Sequence, residues 1–222
     1  QVHRADAALD GADAAGHLRD HAAGDDPRVD ELLHSIGADP GDERAGIVDV
    51  GVIAVAPAPK PAQGPPGDLC LLLEAIQDPG NLGSMLRTAA AFGVEDAYLS
   101  RDCAFAWSPK VLRAGQGAHF QIAIHEDADL IALARSYRAN GGHVVATVAS
   151  SGKPLNEVHI AGRVAVAVGN EGAGLTAALR AEADLAVTIP MPGGSESLNA
   201  AAAAAVVLYE VARQRLTAAG SR

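Results

Sequence analysis

A chain of 222 residues with 49% hydrophobic side chains can bury the core of one medium domain and carry a smaller appendage. Aromatics supply only 3%, so packing must be close and aliphatic, and two cysteines are too few for a disulfide framework, which points to a reducing compartment. A net charge of −10 weighs against a nucleic-acid partner for the chain as a whole. Residues 1–67 hold 12 acidic and 5 basic side chains, whereas residues 68–222 hold 15 and 12 and can carry a local basic face around Arg87, Arg101, Lys110 and Arg113.

Residues 1–45 are rich in Ala, Asp, Gly and His, with short helices expected near Asp6–His21 and Arg28–Ile36. The chain opens on Gln1 rather than Met, as a trimmed chain or a fragment does, and shows no basic segment followed by an apolar run that would mark a secretory signal. His17 and His21 have the i, i+4 spacing of metal ligands, but no third ligand lies nearby in sequence, so no metal is expected. Ile47–Val55 is β-branched and reads as a strand. The proline-rich stretch Ala56–Gly67 is a stiff linker and the best boundary, separating an accessory segment (1–55) from the main domain (68–222).

Beyond the linker strands and helices alternate, which predicts an α/β domain with a mainly parallel sheet and helices on both faces. Strands are expected at Leu69–Ala75, Ala97–Ser100, His143–Val148, Arg163–Val168 and Leu185–Ile189. Helices are expected at Leu82–Phe92, Ser108–Gly115, Leu130–Asn140, Leu175–Glu182 and Leu198–Ala218. Cys70 and Cys103 read as small core hydrophobes rather than nucleophiles. The longest apolar stretch, Ala200–Tyr209, is too short to span a bilayer, so a soluble cytoplasmic protein is expected.

Three loops carry the chemistry. Asp78-Pro79-Gly80 forces a turn at the carboxyl end of a strand, where α/β ligand sites gather; Asn81 is a good N-cap for the next helix and Arg87 lies six residues on. On that segment alone, a capped helix with a solvated arginine is sufficient. Gly169-Asn170-Glu171-Gly172-Ala173-Gly174 follows the run Val164–Val168, and its glycines permit close backbone approach to a ligand. Their order is not G-x-G-x-x-G and no Walker lysine follows, which excludes a dinucleotide oxidoreductase and a P-loop. Glu171 is either a site acid or an exposed turn carboxylate. The third loop, Ile189–Asn199, sets Pro190 and Pro192 before Gly193-Gly194 and ends on Ser197-Leu198-Asn199, which can cap the final helix. The small side chains of Ala200–Ala205 suit a dimer interface or a tightly threaded loop. Lys110 and Arg113, within Ser108–Phe120, read on their own as ordinary helix charges.

In this order and spacing the three loops resemble the SpoU/TrmH-type RNA ribose 2′-O-methyltransferases of the SPOUT superfamily. The resemblance covers roughly residues 68–217. Asn81 followed six residues later by Arg87-Thr88 matches the family pattern in full, and Ser108–Phe120 resembles the segment that ends in Gly-Ala and an apolar residue. Residues 1–55 do not clearly match the accessory RNA-binding domain of such proteins; Gly51–Val55 resembles its last strand. The resemblance implies a C-terminal trefoil knot, a homodimer, and methyl transfer from S-adenosylmethionine to a ribose 2′-hydroxyl of rRNA or tRNA. It implies Asn81, Arg87, Glu171, Ser197 and Asn199 at the target nucleotide, and cofactor contacts near Thr147, Gly169, Gly172, Ile189, Met191 and Leu198. Lys110 and Arg113 become RNA contacts. A guanidinium stays protonated, so Arg87 is expected to hold a phosphate and stabilise developing negative charge rather than serve as base. The alternative is a non-catalytic RNA- or cofactor-binding module of the same fold, against which the intact five-residue set argues.

Overall fold

The computed structural model describes residues 58–61, 64–194 and 197–220. The expected elements at Asp6–His21, Arg28–Ile36 and Ile47–Val55, and the His17/His21 pair, lie outside the described residues.

Seven strands form one sheet: β1 (Leu69–Leu73), β2 (Asp96–Leu99), β3 (Ala123–His125), β4 (His143–Thr147), β5 (Lys153–Pro154), β6 (Val164–Val168) and β7 (Leu185–Thr188). Their order is β3-β2-β1-β6-β4-β7-β5. Every neighbouring pair is parallel, with Leu71 opposite Ala97 on one side and Val166 on the other. From β1 the chain moves outward through β2 to β3, whereas from β6 it moves the opposite way, past β4, to β7. Connections leaving neighbouring strands in opposite directions open a crevice at their carboxyl ends, the usual ligand position in such sheets. Here that crevice lies between β1 and β6.

The five α-helices among the described residues are α1 (Pro79–Ala91), α2 (Pro109–Gly115), α3 (Leu130–Ala139), α4 (Ala177–Ala181) and α5 (Ala200–Gly220). Successive strand residues face opposite sides, and in β6 this sorts valine from alanine. Val164, Val166 and Val168 join Leu82, Met85 and Leu86 of α1 and Ala204, Val207 and Leu208 of α5 in one core layer. Ala165 and Ala167 join Leu130, Ala134 and Tyr137 of α3 and Leu179 of α4 in the other. Each large aliphatic side chain so buried contributes roughly 1.5–3 kcal/mol. Helices therefore cover both faces, as the alternation implied.

Several boundaries differ from those expected. The first helix begins three residues early because Asp78, not Asn81, is its N-cap: Asp78 Oδ1 accepts from the Asn81 amide at 2.7 Å, and Pro79 is the first helical residue. The last helix begins at Ala200 with Asn199 before it, and the helix expected at Leu175–Glu182 contracts to α4 behind a Thr176 N-cap. Strands β3 and β5, three and two residues long, were not anticipated.

Candidate active site

Asn81, Glu171 and Asn199 come from the three loops and meet. Asn81 Nδ2 donates to Glu171 Oε1 at 3.0 Å, and Asn199 Nδ2 donates to Asn81 Oδ1 at 2.9 Å. These bonds span 90 and 118 residues of sequence. The amides point the way they do for a local reason. Asn199 caps α5, its Oδ1 accepting from the Ala201 and Ala202 amides at 2.9 and 3.2 Å. With that oxygen committed, its nitrogen must donate outward. Asn81 then receives on oxygen and gives from nitrogen, so the relay runs from the helix terminus to the Glu171 carboxylate. Loss of the N-cap role is what leaves the Asn81 side chain available for this task.

The loop bearing Glu171 is fixed by residues that the sequence had not singled out. Asn170 Oδ1 accepts from the Gly172 and Ala173 amides at 2.9 and 3.0 Å, while its Nδ2 donates to Ala75 O at 2.9 Å. Beside it, Glu74 accepts from Thr176 N at 2.7 Å and Thr176 Oγ1 at 2.8 Å. The ends of β1 and β6 are thus tied across the crevice twice. An asparagine between glycines after a strand was the available signal for Asn170; Glu74 and Thr176 carry none, because their pairing is long-range.

Gly169 is required by its own turn. A Cβ there meets Gly174 C and Leu175 N at 2.3 Å, backbone atoms that cannot step aside, whereas a Cβ on Gly172 meets only Asn170 Oδ1 at 3.6 Å. At Gly169 the chain approaches itself closely.

Arg87 does not join the relay. It is the ninth residue of α1, about 120° around the helix from Asn81 at 100° per residue. It is exposed and makes no hydrogen bond or ion pair among the described residues. Ser197 lies exposed in the segment entering α5. Lys110 and Arg113 are exposed on α2, which packs so tightly on α1 that a Cβ on Gly83 meets Val111 O at 2.6 Å.

Thr147, Gly169 and Ile189 end or follow the adjacent strands β4, β6 and β7, on the same edge of the sheet as the relay. Thr147 Oγ1 is buried and has no hydrogen-bond partner among the described residues. A buried hydroxyl left unpaired costs roughly 1–3 kcal/mol, a cost that a polar ligand group at the strand end removes. Met191 O accepts from Gly194 N at 3.3 Å in the third loop, and Leu198 stands 40% exposed ahead of α5.

Neither cysteine is built as a nucleophile. Burial, reinforced by the nearby Asp96 charge, pushes the Cys70 thiol up to about 12. Burial also raises Cys103, whose thiol donates to Leu73 O at 3.3 Å. Among the described residues no group of three or more His, Cys, Asp or Glu side chains could hold a metal ion, and no helix is long and apolar enough to cross a membrane.

Residues 68–209 match the model of the SpoU rRNA Methylase family. A 23S rRNA guanosine 2′-O-methyltransferase of Bacillus subtilis, RlmP, is 42% identical over 141 residues, which are 64% of this chain and 56% of that protein. The 23S rRNA guanosine 2′-O-methyltransferase RlmB of Xanthomonas campestris is 36% identical over 150 residues, 68% of this chain and 60% of that protein. The solved structure of the SpoU methyltransferase AviRb from Streptomyces viridochromogenes, in complex with its cofactor AdoMet, superposes with a TM-score of 0.62 at 31% identity, covering 71% of this chain and 63% of that one. The chain thus spans less than two thirds of the length of these curated relatives.

Proposed function

The chain belongs to the SpoU rRNA methylase family, and we propose that it transfers a methyl group from S-adenosylmethionine to a ribose 2′-hydroxyl of rRNA or tRNA. The observation that carries this reading is the Asn199–Asn81–Glu171 relay, which draws all three loops to one crevice at the carboxyl edge of the sheet. The relatives named as rRNA 2′-O-methyltransferases and the neighbour crystallised with AdoMet support it.

S-adenosylmethionine, when bound, would supply an electrophilic methyl group on a sulfonium that leaves as a neutral thioether, so the protein mainly positions and orients. Thr147, Gly169, Gly172, Ile189, Met191 and Leu198 are the residues proposed to hold it, and the unpaired Thr147 hydroxyl fits a polar ligand group at the end of β4. Glu171 Oε1 is held by Asn81, while Oε2 has no partner among the described residues. That free oxygen can accept the hydrogen bond of the reacting ribose hydroxyl, turn its lone pair towards the methyl donor and take up the hydroxyl proton as the O–CH3 bond forms. Ser197 and Asn199 flank this position from the third loop. Arg87, unpaired and exposed, is free to clamp the adjoining phosphate through its planar fork and stabilise the developing alkoxide. Lys110 and Arg113 extend the phosphate contacts along α2.

The same reading carries a C-terminal knot involving the second and third loops, a cytoplasmic location, and a homodimer. It divides the chain into an accessory segment (1–55), a linker (56–67) and the methyltransferase domain (68–222). For the homodimer the support is a run of exposed apolar side chains on α5: Val206 at 40%, Tyr209 at 55% and Leu216 at 74%.

Incubation of the full chain with methyl-labelled S-adenosylmethionine and bulk rRNA and tRNA, followed by ribose analysis, tests the activity. Transfer to O2′ is expected; cofactor binding without transfer to any RNA identifies a non-catalytic module instead. Arg87→Ala should lower transfer about 10²–10³-fold with cofactor binding retained. Near-normal turnover by Arg87→Lys overturns the bidentate clamp.

A further inference from the structure

Only seven aromatic residues occur in this chain, and two of them line one cavity away from the relay. A cavity of about 360 Å³ at the edge strand β3 is lined by Lys60, Trp107, His119, Phe120 and Gln121, with Pro59, Pro61 and residues 122–124 completing it. Two strand spacings, roughly 10 Å, separate β3 from β1.

The walls are rigid and one ring is presented to solvent. Phe120 is 80% exposed, more than any other large apolar side chain among the described residues. Behind it His119 is 4% exposed, tied by Nε2 to Ala106 O at 2.8 Å and packed 5.2 Å from the Trp107 ring. A Cβ on Gly115 falls 2.6 Å from that imidazole, so the ring and the short 3₁₀ turn carrying Phe120 have no room to shift towards α2. The charge is equally one-sided. Among the described residues no Asp or Glu lines the cavity although the chain carries −10, while Lys60 does, and α2, between Trp107 and Phe120 in sequence, exposes Lys110 and Arg113.

A fixed aromatic face with cations around it and no carboxylate matches a ligand that is anionic and has flat faces of its own. An unpaired nucleotide has both properties; a base pair in a duplex has its faces covered by its neighbours. We propose that this cavity binds an unpaired nucleotide of the RNA substrate, its base stacked on Phe120 and Trp107 and its phosphate against Lys60. The inference rests on the RNA-methyltransferase reading and adds a second, non-reacting contact on the same RNA.

Trp107 is the sole tryptophan, so its emission reports on this cavity alone. Titration of the full chain with a uridine oligomer of about ten nucleotides should quench that emission, and the same oligomer annealed to its complement should not. Phe120→Ala removes a solvent-exposed ring and should leave the melting temperature unchanged while weakening oligomer affinity at least about fivefold. Lys60→Ala should weaken binding and flatten its salt dependence. Absence of quenching, equal quenching by the duplex, quenching only by an acidic peptide, or unchanged affinity of Phe120→Ala overturns the proposal. Methyl transfer by a chain that shows no quenching removes this site and leaves the activity standing. Phe120-dependent quenching in a chain that methylates no RNA removes the activity and leaves the site.

Discussion

Asn81 shows how one side chain can be misassigned by local rules and still belong to the site. Next to Gly80 at the head of a helix, an asparagine satisfies the N-cap preference, yet Asp78 is followed by a proline whose fixed φ suits the first helical turn, and Asp78 takes the cap at 2.7 Å. The Asn81 amide is left to bridge Asn199 and Glu171. Asn81→Asp therefore tests the relay with almost no change of volume. The new carboxylate replaces a donor 3.0 Å from Glu171 Oε1 by an acceptor of like charge. Misorientation of a reacting group at this scale costs about 10²-fold, so single-turnover methyl transfer should fall by that order with S-adenosylmethionine affinity unchanged. Two facing carboxylates raise one another's pKa, so at lower pH one regains a proton and can donate again. The activity of Asn81→Asp should therefore recover in part as pH falls, whereas that of Asn81→Ala should not. A flat profile for both variants would remove Glu171 as the partner that matters.

Among elements, β6 and its loop were the most legible from sequence. Five small apolar residues followed by a glycine-bearing turn specify a strand buried on both faces, and valine and alanine sort onto opposite sides of the sheet. The edge strands β3 and β5 were not legible, because three and two residues cannot display an alternation and their pairing depends on β2 and β7. The ties that hold the β6 loop were hidden for the same kind of reason: Glu74 to Thr176 spans 102 residues and Asn170 to Ala75 spans 95. Asn81, Glu171 and Asn199 could be brought together in advance only through the family resemblance, since spacing alone left each with a bland local role. The loop's own geometry gives the sharpest test at this scale. Gly169→Ala sets a methyl group 2.3 Å from the Gly174 and Leu175 backbone. Overpacking against atoms that cannot rotate away should cost about 3 kcal/mol, measured by denaturant unfolding, with Gly172→Ala nearly neutral in the same assay. Equal stability of Gly169→Ala and the parent would mean that the turn can open.

At the scale of the whole molecule the two edges of the sheet are treated differently. The amino edge is closed by side chains: Asp96 accepts from Gly67 N at 2.9 Å, the Tyr137 hydroxyl donates to Gly67 O at 3.1 Å, and Arg163 reaches Pro66 O at 2.8 Å. The carboxyl edge carries the three loops, the Glu74–Thr176 and Asn170–Ala75 ties, and an orphan hydroxyl. One buried group of the scaffold should make this fold sensitive to mild acid. His119 carries this argument. Burial pushes its imidazole below the ordinary value of 6.5, with the bond to Ala106 O opposing in part. Below about pH 6.5 the unfolded chain takes up a proton that the folded chain refuses, so stability is complete above that pH and declines as pH falls towards the folded value. Glu210 acts in a lower window, its carboxyl being held at about 2 by Arg213, so that its contribution fades only as pH drops from the usual carboxylate range towards 2. Denaturant unfolding between about pH 7 and pH 5 should thus show a fall in stability that His119→Gln, which keeps a donor for Ala106 O without a titrating ring, reduces. An identical slope in His119→Gln would place the acid sensitivity of this fold somewhere other than the wall shared by α2 and β3.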